Sequence, residues 1–283
     1  MRIRATVAAV TGALALSAFV VPAAQAADAP SGKAAFSAAT ADGTASAAAT
    51  LDVTFSNMKV NNGKNIVVGT TNVVSVPVTY TLTHPVGMDT SEDNFASGPL
   101  IYRGSSVTSP SNEIISDDPA TCTTASSTTL NCSGTIYIRP ADGDLTNADA
   151  GTWNAGGLAI NSAGDTKTQG GLGATKVQRY SKLTVNAGPE PVAKGRTVTS
   201  TGKLSRANWD DNAYHGYTVQ PVKLQFRKAG TSTYTTVKTV NSDSYGNVKA
   251  TATAQYDGYW RFSFAGTTTT PAVNATGDYV DVK

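Results

Sequence analysis

Reactive and charged side chains are scarce along these 283 residues: Cys occurs twice, His twice, Met three times and Glu three times. Two histidines leave few ways to build a Ser-His-Asp arrangement, and no GxSxG, HExxH or zinc-ligand spacing occurs. A glycosidase would have to draw its acid pair from 17 Asp and three Glu, which at a surface are ordinarily just solvated. No heptad run, long amphipathic helix or glycine-rich phosphate loop is present. Clusters of excess Lys and Arg are missing too, so neither nucleic acid nor insertion into a membrane is expected. An enzyme is not expected, and no cofactor is called for beyond a calcium ion weighed below.

What the chain does contain is Thr, Ser, Ala and Gly in quantity, a composition of strands and turns. It opens on Arg2 and Arg4, follows with an apolar run to Val21, and reaches Ala24-Gln25-Ala26, a small-residue cleavage pattern. Thr11, Gly12, Ser17 and Pro22 interrupt that run, so residues 1–26 read as a signal peptide and the protein as secreted and extracellular. The leader holds two of the 22 basic residues and none of the 20 acidic ones, so the formal +2 belongs to it and the remainder is neutral. Residues 27–48 are nearly all small, with Phe36 the one large apolar side chain. A flexible arm is expected, since so little apolar area cannot offset the entropy of ordering.

Alternating text begins at Leu51. Val74, Val76, Val78, Tyr80 and Leu82 alternate with small or polar residues, as do Val222, Leu224 and Phe226, and Trp260, Phe262 and Phe264. Pro77 cannot donate to a ladder and is expected at an edge or a bulge. Short strands are expected at PLIYRG, around Trp153, and separately around Leu158 and Ile160. About seven strands before the glycines at 170–173 and seven after Val177 predict an all-β chain of two tandem immunoglobulin-like β-sandwich domains, 49–176 and 177–283. Cys122 and Cys132 predict a disulfide in the first, because two close cysteines in an oxidising compartment pair by default.

Three further features bear on function. Asp142, Asp144, Asn147 and Asp149 share one loop and offer oxygens to calcium, but lack the glycine and final Glu of an EF-hand; a polar turn rich in Asx residues accounts for all of them and is the favoured reading. Asp89, Glu92 and Asp93, and Asn241, Asp243 and Asn247, read the same way. The segment from Trp209 to Tyr217, with Asp210, Asp211, Tyr214 and His215, joins two strands and has the composition of a recognition loop for an extracellular protein or a glycan. Trp209 and Tyr217 are expected to plug the end of their own sandwich, with Tyr214 and His215 exposed. The stretch Pro221–Gly266 is expected to be committed to core strands, leaving function to the loop ahead of it.

The residues PVKLQFRK, YTTVKTV and DGYWRFSFAGT resemble an immunoglobulin-like module of secreted Gram-positive bacterial proteins, over residues 178–283. LDVTFSNMKVNNGKNIVVGTTN and AGTWNAGGLAINSAGD are similar to the domain that precedes it in such proteins. The resemblance implies an extracellular protein of recognition or structural role near the cell envelope; some members carry a calcium-binding label. It supplies no catalytic residues. A hydrolase, or an inhibitor of one, acting through a loop at a sandwich end is the alternative kept open.

Overall fold

The computed structural model describes residues 31–42 and 49–283; the expected signal peptide and the remainder of the arm lie outside them. The first sandwich holds β1 (Thr54–Val60), β2 (Ile66–Val68), β3 (Val74–Thr83), β4 (Phe95–Arg103) and β5 (Asn112–Ile115). It continues with β6 (Thr121–Ser126), β7 (Thr129–Ile138), β8 (Gly151–Asn161), β9 (Thr166–Gln169) and β10 (Ala174–Arg179). One sheet has the order β1-β3-β7-β6 and the other β2-β10-β8-β4-β5, with β9 on β8. Lettered along the chain, these are the A-B-E-D and A′-G-F-C-C′ orders of an immunoglobulin-like sandwich. Only β2 and β10 run parallel among its ladders.

The expected alternation sets the core. Val76, Val78, Tyr80 and Leu82 of β3 face inward onto Phe55, Ile136, Ile138 and Trp153. Pro77 lies in a central strand, yet one residue beyond the last β1 pair, Val60 with Val78, so on that side it has no ladder to interrupt. The text around Trp153 and Ile160 forms one strand, not two. Gly157 inside it is no break, because a Cβ there would lie 2.5 Å from the Phe55 ring.

The expected flexible arm is corrected over its middle. Residues Gly32–Asp42 form a helix, α1, and bury Phe36 completely against Ala96, Leu100, Tyr102, Leu158 and Ile160 on the outer face of β4 and β8. That is why β4 is buried on both faces from Phe95 to Tyr102. Gly98 leaves room for the ring: a Cβ there would sit 2.4 Å from Phe36 Cζ. One phenylalanine suffices because the sheet supplies the apolar area; full burial contributes about 1.5–3 kcal/mol.

The second sandwich holds β11 (Ser181–Leu183), β12 (Asn186–Gly188), β13 (Thr197–Asn208), β14 (Ala213–Gly216) and β15 (Pro221–Lys228). Then come β16 (Thr235–Asn241), β17 (Asn247–Thr253), β18 (Gly258–Phe264), β19 (Val273–Asn274) and β20 (Asp278–Val280). β11, β12, β14 and β17 pair with β13; the facing sheet runs β16-β15-β18, with β19 and β20 on β18. Val222, Leu224, Val248, Trp260, Phe262 and Phe264 fill the core. The expected boundary at 176/177 falls inside β10, which pairs with β2 and β8 through Arg179, so the first sandwich extends to that residue. A tight turn carries β16 directly into β17 on the opposite sheet. The seam between those two edges therefore lacks the fourth strand that β6 supplies in the first sandwich.

Candidate functional site

The segment from Trp209 to Tyr217 is shared between the joint and the surface: Trp209 and Tyr214 pack on the first sandwich and Asp210 bonds it, while Asp211, Asn212, Ala213 and His215 are exposed. Trp209 is 2% exposed and packs with Ala207 into the core of the first sandwich, not its own. Its Nε1 donates to Gly69 O at 2.9 Å, across the joint. Asn147 clamps the same turn: its Oδ1 accepts from Trp209 N at 3.0 Å, and its own N–H donates to Asp210 Oδ1 at 2.9 Å. Its amide also donates to Asn208 and Asp210.

The other residues of the segment divide. Tyr217 packs partly against its own core, edge-on to Phe264 at 5.6 Å. Tyr214 is half-buried against the first sandwich, edge-on to Tyr180, with Lys182 Nζ 3.4 Å from its ring centroid; its expected exposure is corrected. His215 and Asp211 are exposed, with Nε2 and Oδ2 2.6 Å apart. The reason for the difference is partnership. A tryptophan next to a strand end plugs whichever apolar end it meets, and here the first sandwich presents one.

The carboxylates weighed for calcium are engaged in turns. Asp144 Oδ2 accepts from Arg139 N at 2.6 Å, and Asp149 Oδ2 accepts from Thr146 N and Oγ1 at 2.8 Å each, half of a capping box. Asn147 faces the joint, and Asp142 stands exposed on a short 3-10 turn. Burial pushes the Asp144 carboxyl up despite its bond to Arg139 N. Asp89 accepts from Ser91 N, and Asp243 from the N–H groups of Tyr245 and Asn247, again as Asx turns. Among the described residues no three His, Cys, Asp or Glu side chains gather as a metal set.

Cys122 and Cys132 form a disulfide between directly opposed residues of β6 and β7. It therefore ties neighbours in one sheet, where an antibody domain ties its two sheets together. Cys132 lies in the core beside Tyr80, whose hydroxyl bonds Ser97 Oγ at 2.8 Å. Burial raises that hydroxyl well above the usual tyrosine range.

The concave feature with unsatisfied surface lies in the stretch expected to be pure core. A groove of about 800 Å³ opens at the seam between β16 and β17. Phe226 and Trp260, with ring centroids 4.7 Å apart, Val237 and Ala252 line it, and Tyr256 stands at its mouth. Val237 is 47% and Tyr256 53% exposed, unusual for large apolar side chains facing a core seam. Lys228 Nζ lies 4.3 Å from the Tyr256 centroid. β16 pairs with β15 alone and β17 with β13 alone, so both rims are sheet edges. One sequence signal pointed here. Val237 and Val240 are three residues apart in β16, so a period of two cannot put both on one face.

No protein-family model matches the chain, and no curated protein is similar to it. Among solved structures it is similar to the D00-D0 domain of intimin, at 14% identity, covering 79% of this chain and 98% of that one, TM-score 0.27. It is similar to the three N-terminal domains of the bacteriophage RB49 highly immunogenic outer capsid protein, at 11% identity over 82% and 71%, TM-score 0.29. The ectodomain of the teleost fish polymeric immunoglobulin receptor gives 14% identity over 78% and 96%, TM-score 0.23. At such TM-scores these likenesses carry no argument about the site, which stands on this chain's own strand order and contacts.

Proposed function

We propose that this is a secreted, non-catalytic protein of the cell envelope that binds an extended polypeptide segment in the seam of its second sandwich. The observation that carries the reading is the pairing of two unpartnered sheet edges, β16 and β17, with an apolar floor of Phe226, Trp260 and Val237. An extended chain laid along such an edge gains main-chain hydrogen bonds and places alternate side chains in the groove. A glycan would need an open ring face to stack on. Trp260 is only 3% exposed, and Lys228 lies against the ring of Tyr256. The joint built on Trp209 and Asn147 holds the first sandwich beside the second. A hydrolase or inhibitor loop at Trp209–Tyr217 is disfavoured, because Trp209 and Tyr214 are held in the joint and leave only the exposed His215–Asp211 pair free to act.

The test is a binding screen of the full protein against extended peptides and wall glycans, comparing the native chain with Val237→Lys and Tyr256→Ala. Both positions are exposed, so neither change disturbs the core. Peptide binding that both variants weaken at least about tenfold, roughly 1.4 kcal/mol, supports the reading. Binding that survives both, or glycan retention alone, overturns it.

A further inference from the structure

A second site emerges where the sandwiches meet. Arg179 ends β10 in the first, and Arg206 lies on β13 in the second. Arg179 is 8% exposed, and its Nε donates to Ala207 O while its backbone N–H donates to Thr269 O. The Nε bond is its only side-chain hydrogen bond among the described residues; the two terminal nitrogens have no protein acceptor and reach solvent. Arg206 is half-buried, its guanidinium carbon 3.9 Å from the Tyr217 ring centroid, and only Nη1 is bonded, to Thr270 Oγ1 at 3.3 Å.

Among the described residues no carboxylate forms a direct ion pair with either cation. The ion pairs among the described residues join Arg139 to Asp117, His215 to Asp211 and Lys283 to Asp281. Asp210 and Asp211 are near enough to act on Arg179 through space, but both are bonded elsewhere. Asp210 accepts from Asn147, and Asp211 from Ala213 N and His215. Burial, and then the like charge of Arg206, loosen the proton on Arg179, down to about 10, and burial lowers Arg206 as well. Two guanidinium groups that repel each other and share no direct ion pair, with Asp210 and Asp211 acting on Arg179 only through space, leave room for a further anion.

We propose that Arg179 and Arg206 together receive an oxyanion, the carboxylate or phosphate group of a ligand, at the joint between the sandwiches. The guanidinium fork matches such groups with paired hydrogen bonds. Arg206 lies over the Tyr217 ring, whose hydroxyl is 3.5 Å from Thr267 Oγ1, itself 3.2 Å from Thr269 Oγ1. Because one arginine comes from each sandwich, the bound anion also ties them together.

The experiment titrates the full protein with inorganic phosphate, acetate and a glutamate-rich peptide, each balanced by sodium chloride to constant ionic strength. Binding is followed by the arginine Nε–H resonances and by thermal unfolding. The expected result is movement of the Arg179 and Arg206 signals with phosphate or a carboxylate, and a higher unfolding midpoint. Phosphate alone acting would assign a phosphorylated ligand; acetate and the peptide acting would assign an acidic polypeptide. Arg206→Gln should weaken binding at least about tenfold, and Arg206→Lys, which keeps the charge and loses the fork, by nearly as much. If Arg206→Gln does not fold, the lysine variant decides. Chloride reproducing the shifts, or affinity unchanged within about twofold in Arg206→Lys, overturns the proposal.

Discussion

Trp209→Ala separates a joint from a loop. The side chain is 2% exposed within the core of the first sandwich, although the chain reaches it from β13 of the second. Truncating a buried tryptophan costs about 3–5 kcal/mol, part lost transfer energy and part cavity. The bond from Nε1 to Gly69 O is lost with it, about 1 kcal/mol of that total. For a sandwich of this intermediate size, at roughly 3–6 °C per kcal/mol, the melting point should fall by roughly 9–30 °C. Trp209→Phe retains most of the apolar area and should cost about 1–2 kcal/mol. Calorimetry measures the size, and hydrogen exchange measures the place. Amides of β3 and β8 should lose protection while those of β15 and β18 keep theirs. Loss confined to β15 and β18 would show that Trp209 plugs its own sandwich, and a loss below about 1 kcal/mol would show that it plugs neither.

Three other outcomes follow. Reducing Cys122–Cys132 should destabilise the first sandwich by up to about 3 kcal/mol from loop-closure entropy; calorimetry with and without reductant checks this, the second sandwich serving as internal control. Phe36→Ala should cost about 1.5–3 kcal/mol of helix docking and open residues 32–42 to proteolysis before any β strand is cut. Asp144→Asn should stabilise at neutral pH and not below the carboxyl's folded pKa. Burial raises that pKa, so the native state holds the proton more tightly than the unfolded chain. Between the two pKa values stability falls as pH rises, and the penalty persists above the folded one. Urea unfolding of both forms at pH 3 and pH 7 tests this, and an equal difference at both values would refute it.

Period and composition carried the strands. A side chain on every second residue, valine and aromatic on one face and threonine or serine on the other, is a local property, and β3, β15 and β18 lie where it puts them. The disulfide was legible for a similar reason: two cysteines ten residues apart have few alternatives. The single strand through Trp153 and Ile160 was not legible, because the close approach of Phe55, not a turn, is what requires a glycine at 157.

Local sequence therefore determined an all-β chain of two sandwiches and which face of most strands is buried. Tertiary structure alone decided whose core each surplus apolar side chain would enter. Phe36 found the outer face of β4 and β8, and Trp209 found the neighbouring sandwich. It also decided that β16 and β17 would meet without a strand between them, and that Arg179 and Arg206 would come near each other without a direct ion pair to either. Each is a contact between distant segments. Alternation records that a side chain leaves water, but carries no information about the surface it leaves water for.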